Sequence, residues 1–340
     1  MNAQVQLKIN EQNLIKHLKL AFASSTTYLS ELMQNARRAG ASRVSFDYDL
    51  DAAKLVISDD GCGITNLQTI LTVAESGWDQ DVVDAEHPYG IGFLSALFAA
   101  SHVCIESKGQ CIEFDTETIL NFGTVPIRKS DIVMGTKLTL SGILEHPGDA
   151  LKRFAKGYPI DIHFNGQSLP RFHALNGGLN FQTADMGDFF IYGIDSPIKK
   201  GLIEGTKDIV VYLQGIEIYA SGCVPVRNDT KVRNIIHLDP RKYYGNLPDR
   251  TSLINEEEII DEIRHYIKDQ WSNRLKADVS IYPADVIAAH YYSIFAYWDQ
   301  LALLNDIPFI PTEMLGVYDI YPILPQDWED TYSMVKNVVM

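Results

Sequence analysis

Two glycine-rich turns around residues 61–108 decide the fold of this chain. The first reads Asp59-Asp60-Gly61-Cys62-Gly63-Ile64, and the second reads His87-Pro88-Tyr89-Gly90-Ile91-Gly92-Phe93. The second turn opens the apolar stretch 93–101, which predicts a helix. Glycine lets a backbone come close to a ligand, and a helix N-terminus offers unpaired N–H groups to an anion. Two such turns with a polar, acidic loop between them are what a bound triphosphate needs.

The composition is that of a soluble globular protein. The chain has 340 residues, of which 46% are hydrophobic and 21% charged, enough for two domains and a small third segment. No apolar run approaches the roughly 18 residues that a membrane span needs. The first residues lack the basic and apolar regions of a signal peptide. We therefore expect a cytoplasmic protein without a membrane anchor.

The spacing of the cysteines and the net charge of the chain argue against several kinds of site and partner. None of the four cysteines forms a C-x-x-C pair, so the sequence predicts neither a zinc site nor a disulfide framework. The histidines show no metal-binding spacing, and we expect no transition metal held by the protein. The net charge of −15 repels phosphate backbones, which disfavours nucleic acid as a partner.

Hydrophobic periodicity predicts an α+β sandwich, with helices on one face of an antiparallel sheet, over residues 1–170. Residues 76–87 are polar and acidic and predict a surface lid. The expected helices cover 9–23, 28–39, 66–75, 93–101 and 148–157, and the expected strands cover 44–48, 55–58, 102–107, 111–114, 135–140 and 161–166.

The sequence pattern changes after residue 170. Two strand-like runs flank Gln214-Gly215 and predict a hairpin over 208–219. Residues 256–275 have the spacing of an amphipathic helix. We predict a middle domain over 171–275 and a helical, aromatic-rich segment over 276–340. Its aromatic residues could form a core or a partner surface, and helical spacing favours a core.

The candidate site residues carry little information one at a time. Glu31 and Asn35 lie one turn apart on a predicted helix, a spacing that many solvated helix faces share. Asp-Asp-Gly after a strand is usually only a turn, and an isolated Gly-Thr such as Gly135-Thr136 means almost nothing. Their order along the chain is what makes them specific.

Together these motifs resemble the four boxes of the GHKL ATPase superfamily. That group holds gyrase-type topoisomerases, heat-shock-protein-90 chaperones, histidine kinases and mismatch-repair MutL proteins. The third box is most similar to the chaperone form, and the resemblance covers about residues 7–166. It implies a Bergerat-type ATP-binding α/β sandwich, followed by a ribosomal-protein-S5-like α/β transducer domain. The boxes are residues 31–44, 59–64, 88–96 and 135–138.

The resemblance also implies a role for each matching residue. Asp59 would accept a hydrogen bond from the exocyclic amine of adenine, where guanine presents a carbonyl, and Thr136 would hold Asp59 or a water beside it. Asn35 would offer an oxygen to Mg²⁺, which prefers oxygen ligands. Glu31 would take a proton from the attacking water as general base. The remaining expected nucleotide contacts are Gly61, Gly63, Gly90, Gly92 and Phe93.

Some positions depart from the family pattern or rest on a weaker match. His87 stands where the chaperone pattern has glycine, and Arg38 stands where many relatives have an acidic residue. Arg38 could contact phosphate or be solvated, and we favour the second. Residues 247–253 resemble the chaperone segment that places an arginine near the γ-phosphate. Arg250 is our choice for that role, with Lys242 and Arg241 as alternatives and a plain surface arginine equally consistent.

Two functions of different class follow. The first is a chaperone-like ATPase, in which Mg²⁺-dependent hydrolysis of ATP drives lid closure, N-terminal dimerisation and work on a protein client. The second is a nucleotide-gated interaction module with little or no hydrolysis, which presents a surface to a partner. The acidic balance disfavours a topoisomerase or DNA-repair role. The position of the boxes at the start of the chain disfavours a histidine kinase.

Overall fold

The computed structural model describes residues 5–22, 25–75, 78, 90–198, 207–221, 233–247, 252–310 and 335–336. The chain divides into two compact units. The first comprises Met1–Asp188, Val211–Tyr219 and His237–Ile254, and the second comprises Phe189–Val210, Ala220–Ile236 and Asn255–Met340. The domain boundaries near residues 170 and 275 remain predictions.

An eight-stranded sheet forms the centre of the first unit. Its strand order is β5-β4-β3-β6-β2-β1-β7-β8, and the pairing is antiparallel except between β1 and β7. The strands are β1 Arg43–Asp49, β2 Lys54–Asp59, β3 His102–Ser107, β4 Gln110–Asp115, β5 Arg128–Lys129, β6 Thr136–Ser141, β7 Asp161–Phe164 and β8 Gln167–Ser168.

Alternating burial along these strands separates an apolar face from a polar one. Phe46, Ile57, Leu138 and Ile105 occupy one cross-strand row of the buried face. Helices cover that face, and their buried side chains join the sheet in one hydrophobic core. The helices of this unit are α1 Glu11–Ala21, α2 Thr27–Arg38, α3 Leu67–Ile70, α4 Gly92–Ala99, α5 Thr116–Leu120 and α6 Gly148–Ala155. The mixed α+β class predicted from the sequence is thus confirmed.

The predicted helix over residues 66–75 is wrong in length. Helix α3 spans only Leu67–Ile70, and Ala74 is exposed with a left-handed φ of 61°. The Oγ1 of Thr69 donates to Asn66 O over 2.7 Å, and the Oγ1 of Thr72 donates to Gln68 O over 2.9 Å. Such side chains compete for backbone groups and disfavour helix interiors. The chain therefore leaves the helix early and turns toward Gly90, whose carbonyl accepts from Ala74 N.

A second, five-stranded sheet has the order β12-β11-β13-β10-β9, and the unit boundaries fall within its strands. The predicted hairpin is confirmed: Gln214 and Gly215 both have positive φ, at 54° and 81°, as a two-residue hairpin turn requires. The strands are β9 Gln182–Ala184, β10 Gly187–Phe190, β11 Ile209–Leu213, β12 Ile216–Ala220 and β13 Asn234–Leu238. The ribosomal-protein-S5-like topology stays a prediction.

The second unit contains two long helices, α7 Glu256–Val279 and α8 Ala284–Tyr297, a 3₁₀ turn at Leu301–Leu304, and the strand pair β14 Phe309–Ile310 and β15 Val335–Lys336. Of the aromatic residues after 276, Tyr291, Phe295 and Trp298 are buried, which confirms the core interpretation for these three. Asp278 is also buried and accepts from Arg274 Nε over 2.6 Å. No helix among the described residues is both long and apolar enough to span a bilayer.

Candidate nucleotide-binding site

A cavity of about 440 Å³ opens in the first unit above the ends of β2 and β6. Helix α2 forms one wall, the turn after β2 another, and the N-terminal end of α4 a third. Of the ten expected site residues, eight line it: Glu31, Asn35, Asp59, Gly63, Gly90, Gly92, Phe93 and Thr136. Residues from four separate sequence motifs therefore converge on one cavity.

The register of the sheet positions the carboxylate of Asp59 at the floor of the cavity. Asp59 ends β2 directly opposite Thr136 of β6, and Thr136 is in turn opposite Ser107 of β3. The Oδ1 of Asp59 accepts from Gly61 N over 2.9 Å. Burial raises the pKa of the Asp59 carboxyl, while hydrogen bonds from the Gly61 and Thr136 backbones partly oppose the rise. A partly buried acceptor at a strand end can recognise a donor on a flat base.

Ser107 ties three segments of the cavity together. Its side chain is fully buried, its Oγ donates to Gly135 O over 2.7 Å, and it accepts from Ile64 N over 2.8 Å. Gly63 has a φ of +71°, and a β-carbon there would lie 2.8 Å from both Gly135 O and Ser107 Oγ. Glycine is therefore required at position 63 by the backbone and by these protein atoms.

The two acidic residues of the first turn have different surroundings. The carboxylate of Asp60 points away from the cavity and accepts from the backbone N–H groups of Ser42 and Arg43, over 2.7 Å and 3.0 Å. A further hydrogen bond from the Ser42 hydroxyl is the main cause of the lowered pKa of Asp60. Asp60 thus fastens the segment between α2 and β1, and only Asp59 faces the cavity.

Gly61 does not line the cavity, although the family resemblance implied a nucleotide contact. A β-carbon at position 61 would lie 2.7 Å from Ala39 Cβ and 2.9 Å from Ala39 O. The amide of the next residue, Cys62, donates to the same carbonyl over 2.8 Å. Gly61 therefore lets the turn pack closely against the end of α2.

Glu31 is buried, with 5% of its surface exposed, and its carboxylate lies against Gly92 at the start of α4. Asn35 lies one helical turn further along α2 and is half-buried. Both side chains line the cavity. The i,i+4 face of α2 that carries this pair therefore borders the cavity.

Two basic residues line the cavity that we did not place in the site. Arg38 is half-buried, which contradicts the solvated position that we favoured. Its Nη2 donates to Gln34 Oε1 over 3.0 Å, and its Nη1 lies 3.5 Å from Asn35 Oδ1. Lys108, in the turn between β3 and β4, donates from Nζ to Thr65 Oγ1 over 3.0 Å. The spacing from 31 to 35 to 38 could have indicated Arg38, but no local pattern indicated Lys108.

The remaining site predictions concern the arginine expected near the γ-phosphate and the acidic lid. Arg250 lies outside the described residues, as do the acidic lid positions Asp79, Asp81, Asp84 and Glu86 and the family departure His87. The two alternatives to Arg250 do not line the cavity: Lys242 pairs with Asp185, and Arg241 forms a two-point contact with Asp239.

Trp78 does line the cavity. Within the described ranges, no cluster of histidine, cysteine and acidic side chains could hold a metal ion.

Comparison with known families agrees with this geometry. Residues 11–134 match the family model described as "Histidine kinase-, DNA gyrase B-, and HSP90-like ATPase". The match covers less than half of the chain and includes the first three boxes. No curated protein matches the chain. The family match supports the GHKL superfamily for this part of the first unit and suggests ATP binding there.

Proposed function

We propose that the GHKL-type part of this chain binds ATP in the cavity beneath α2 and hydrolyses it slowly. The observation that carries the proposal is the convergence of four sequence boxes on one cavity of about 440 Å³. Pockets for small ligands and cofactors commonly have volumes of about 300–1,000 Å³. The polar groups around this cavity differ in chemistry from one wall to another, as recognition of a specific ligand requires.

The adenine ring occupies the end of the cavity at Asp59, Gly63 and Thr136. Asp59 accepts from the exocyclic amine of adenine, and the same position of guanine carries an acceptor oxygen. Ile57, Ile105 and Leu138 line this part of the cavity and offer apolar contact to the faces of a base. This pocket therefore favours ATP over GTP.

The phosphates lie toward Gly90, Gly92 and the first turn of α4, because these residues line the cavity and a helix N-terminus offers backbone N–H groups to an anion. Glu31 acts as the general base of hydrolysis by accepting a proton from the attacking water. This role is supported by the position of the Glu31 carboxylate, which is buried on the cavity wall next to Gly92. Glu31 and Gly92 belong to different sequence boxes, so the geometry links the proposed base to the proposed phosphate site.

Magnesium fits this site less well than the nucleotide does. Mg²⁺ would supply charge neutralisation at the phosphates, and it prefers several oxygen ligands. Asn35 is the family-implied ligand, but the guanidinium of Arg38 lies against the same amide oxygen. Two cationic groups cannot share one neutral oxygen without repulsion. The hydrolysis proposed for this site therefore uses the residues of the chain and no bound Mg²⁺.

Beyond ATP turnover, the similarity of the third box to the chaperone form supports a conformational cycle with lid closure, N-terminal homodimerisation and a protein client. Nucleotide binding would shift the population toward the closed state. The contact between Arg38 and Asn35 also favours a second function, a nucleotide-gated interaction module with little or no hydrolysis. We keep the arginine role of Arg250 and a cytoplasmic location as predictions.

Thermal unfolding with and without nucleotide tests the binding proposal. A ligand that binds only the folded state stabilises it by about 2.7 kcal/mol at 100 times its Kd. ATP should raise the unfolding midpoint and GTP should not. Phosphate release measured on the same sample then separates the two functions: turnover supports the ATPase, and binding without turnover supports the interaction module. No shift with either nucleotide would refute both.

A further inference from the structure

The hairpin of β3 and β4 brings two cysteines together on the polar face of the sheet. Cys104 lies opposite Glu113 and Cys111 lies opposite Glu106, so the two cysteines are diagonal neighbours on one face. Their Sγ atoms are 3.7 Å apart. Both side chains are half-buried, so a small reactant in solvent can reach them, and neither lines the nucleotide cavity. Six residues separate them in the chain, so no C-x-x-C spacing indicated the pair.

The charged groups beside the two thiols are paired with other side chains. Glu106 Oε2 lies 3.4 Å from Lys137 Nζ, and Glu113 Oε2 lies 3.5 Å from Arg128 Nη1. Each thiol has the other thiol as its hydrogen-bonding partner. In the described part of the chain, no group of three metal-binding side chains could hold an ion. The chemistry open to the pair is therefore that of a dithiol, which is exchange with a disulfide.

The turn between the strands fixes the offset of the two cysteines. It consists of Lys108 and Gly109, whose φ values of 46° and 75° are those of a two-residue hairpin turn, and such a turn sets the register. A disulfide requires a sulfur separation of about 2.05 Å, so the Sγ atoms must approach by about 1.7 Å. Rotation of two half-buried side chains about their Cα–Cβ bonds supplies a movement of this size without breaking the strand pairing.

We infer that Cys104 and Cys111 form a reversible intrachain disulfide by exchange with a low-molecular-weight disulfide. The thiolate of Cys111 attacks one sulfur of that reactant, whose S–S bond breaks and releases a thiolate. Cys104 loses its proton to solvent, attacks Cys111 Sγ and expels the second thiolate. Two protein thiols are thereby oxidised and one disulfide is reduced to two thiols, which take up the two protons that the cysteines release.

The surroundings of the pair assign the first attack to Cys111. Burial is the main cause of the raised pKa of Cys104, and its contact with Cys111 adds to the rise. The thiolate is the nucleophile, so the raised pKa disfavours Cys104 in the first step. In the second step Cys104 starts 3.7 Å from the sulfur that it attacks, and this proximity makes the step effectively intramolecular.

Glutathione redox buffers test this inference on the full chain. The variant Cys62→Ser/Cys223→Ser retains only the pair; Cys62 is exposed, and Cys223 lies outside the described residues. Oxidised glutathione should convert this variant to a monomer that has lost two hydrogen atoms by mass, with the peptides of residues 104 and 111 linked. Excess reduced glutathione should reverse the change. Unfolding in guanidinium chloride should lower the equilibrium constant of the disulfide about ten- to a hundredfold, because the folded hairpin holds the thiols together.

Two further variants show whether adjacency is the cause. Adding Cys104→Ser should leave one glutathione attached to Cys111, since no second thiol displaces it. The matched control Cys111→Ser/Cys223→Ser keeps two cysteines on separate segments and should form no intrachain disulfide. Thermal unfolding checks that each variant has folded.

Four outcomes would overturn the inference: no oxidation at any glutathione ratio, a lasting glutathione adduct on the pair, linkage between chains, or an equilibrium constant that unfolding does not lower. An intrachain disulfide in the matched control would do so as well. None of these readouts uses a nucleotide, so the inference and the proposed function stand or fail separately.

Discussion

Gly92 lies so close to the carboxylate of Glu31 that a β-carbon at position 92 would overlap Glu31 Oε2. The two residues are 61 positions apart in the sequence and belong to different motifs, one on α2 and one at the first residue of α4. The glycine therefore leaves room for the Glu31 side chain, the proposed base, beside the proposed phosphate site. This pairing leads to the first two predictions.

Glu31→Gln should abolish phosphate release while ATP binding is retained. The amide keeps the shape of the side chain but cannot accept the proton of the attacking water. General-base catalysis contributes about 10²- to 10⁴-fold, so turnover should fall by that factor. Phosphate release and ATP titration on the same preparation measure both effects. Glu113→Gln, on the polar face of the sheet, is the control and should behave as wild type. Normal turnover in Glu31→Gln would mean that another group is the base.

Gly92→Ala should destabilise the protein and reduce turnover, because the added methyl displaces the Glu31 side chain. Overpacking of this kind usually costs about 1–3 kcal/mol. The double variant Glu31→Ala/Gly92→Ala should recover much of the lost stability, since the shortened side chain makes room for the methyl. Denaturant unfolding of the four proteins gives the coupling energy, expected at about 0.5–3 kcal/mol for residues in contact. Additive effects of the two substitutions would contradict the contact.

Asp59→Asn should have opposite effects on binding and on stability. Loss of the carboxylate should weaken ATP binding about tenfold or more, because a charged acceptor is replaced by an amide. The folded-state pKa of Asp59 is raised, chiefly by burial. Stability from this group is therefore present at acidic pH, below its usual pKa of about 3.9, and is lost as pH rises through the folded pKa. At neutral pH the ligand-free variant should unfold at a higher temperature than the wild type.

The control for this experiment is Asp47→Asn, at an exposed position of β1. It removes one carboxylate from the polar face of the same sheet and should leave nucleotide affinity unchanged. Calorimetric titration with ATP and thermal unfolding from pH 4 to 8 provide the two measurements. Unchanged ATP affinity in Asp59→Asn would mean that the adenine pocket lies elsewhere.

Ser107→Ala should weaken both the fold and the nucleotide site. The substitution leaves Ile64 N and Gly135 O without the hydroxyl that joins them. An unsatisfied buried polar group costs about 1–3 kcal/mol, and both groups lie in motifs that border the cavity. Denaturant unfolding and ATP titration test this expectation. Ser45→Ala, on the polar face of β1, should change neither, and full stability of Ser107→Ala would show that the hydroxyl is dispensable.

His102 should make stability depend on pH. Its Nδ1 lies 2.9 Å from Asp115 Oδ1, and its Nε2 lies 3.3 Å from Glu113 Oε1. The hydrogen bond with Asp115 is the main cause of the raised pKa of His102. Its stabilisation is therefore full below the unfolded pKa of about 6.5 and is lost as pH rises through the higher folded value. Thermal unfolding from pH 5.5 to 8.5 should show this decline in the wild type and in His17→Gln, a surface control. The decline should be smaller in His102→Gln, and identical profiles would exclude His102 as its source.

Local patterns predicted much of the first unit. Strict alternation identified β1 and β2, where buried and half-exposed residues alternate as expected. The helix expected over residues 28–39 is present as α2, and eight of the residues chosen from the four boxes line one cavity. Local prediction failed at α3, where the apolar spacing continues but the threonine hydroxyls take backbone carbonyls. Periodicity records which side chains become buried, and it does not record competition for backbone hydrogen bonds.

The sequence by itself determined the element types, the order of the motifs and the chemistry of the residues in them. Only the tertiary structure decided which of those residues meet. Strand register brought Asp59, Thr136 and Ser107 into one row across β2, β6 and β3, and the packing of Gly61 on Ala39 excluded that glycine from the cavity. Packing likewise placed Arg38 and Lys108 on the cavity wall. The physical reason is that periodicity is a property of neighbouring residues, whereas a binding site depends on contacts between segments far apart in the chain.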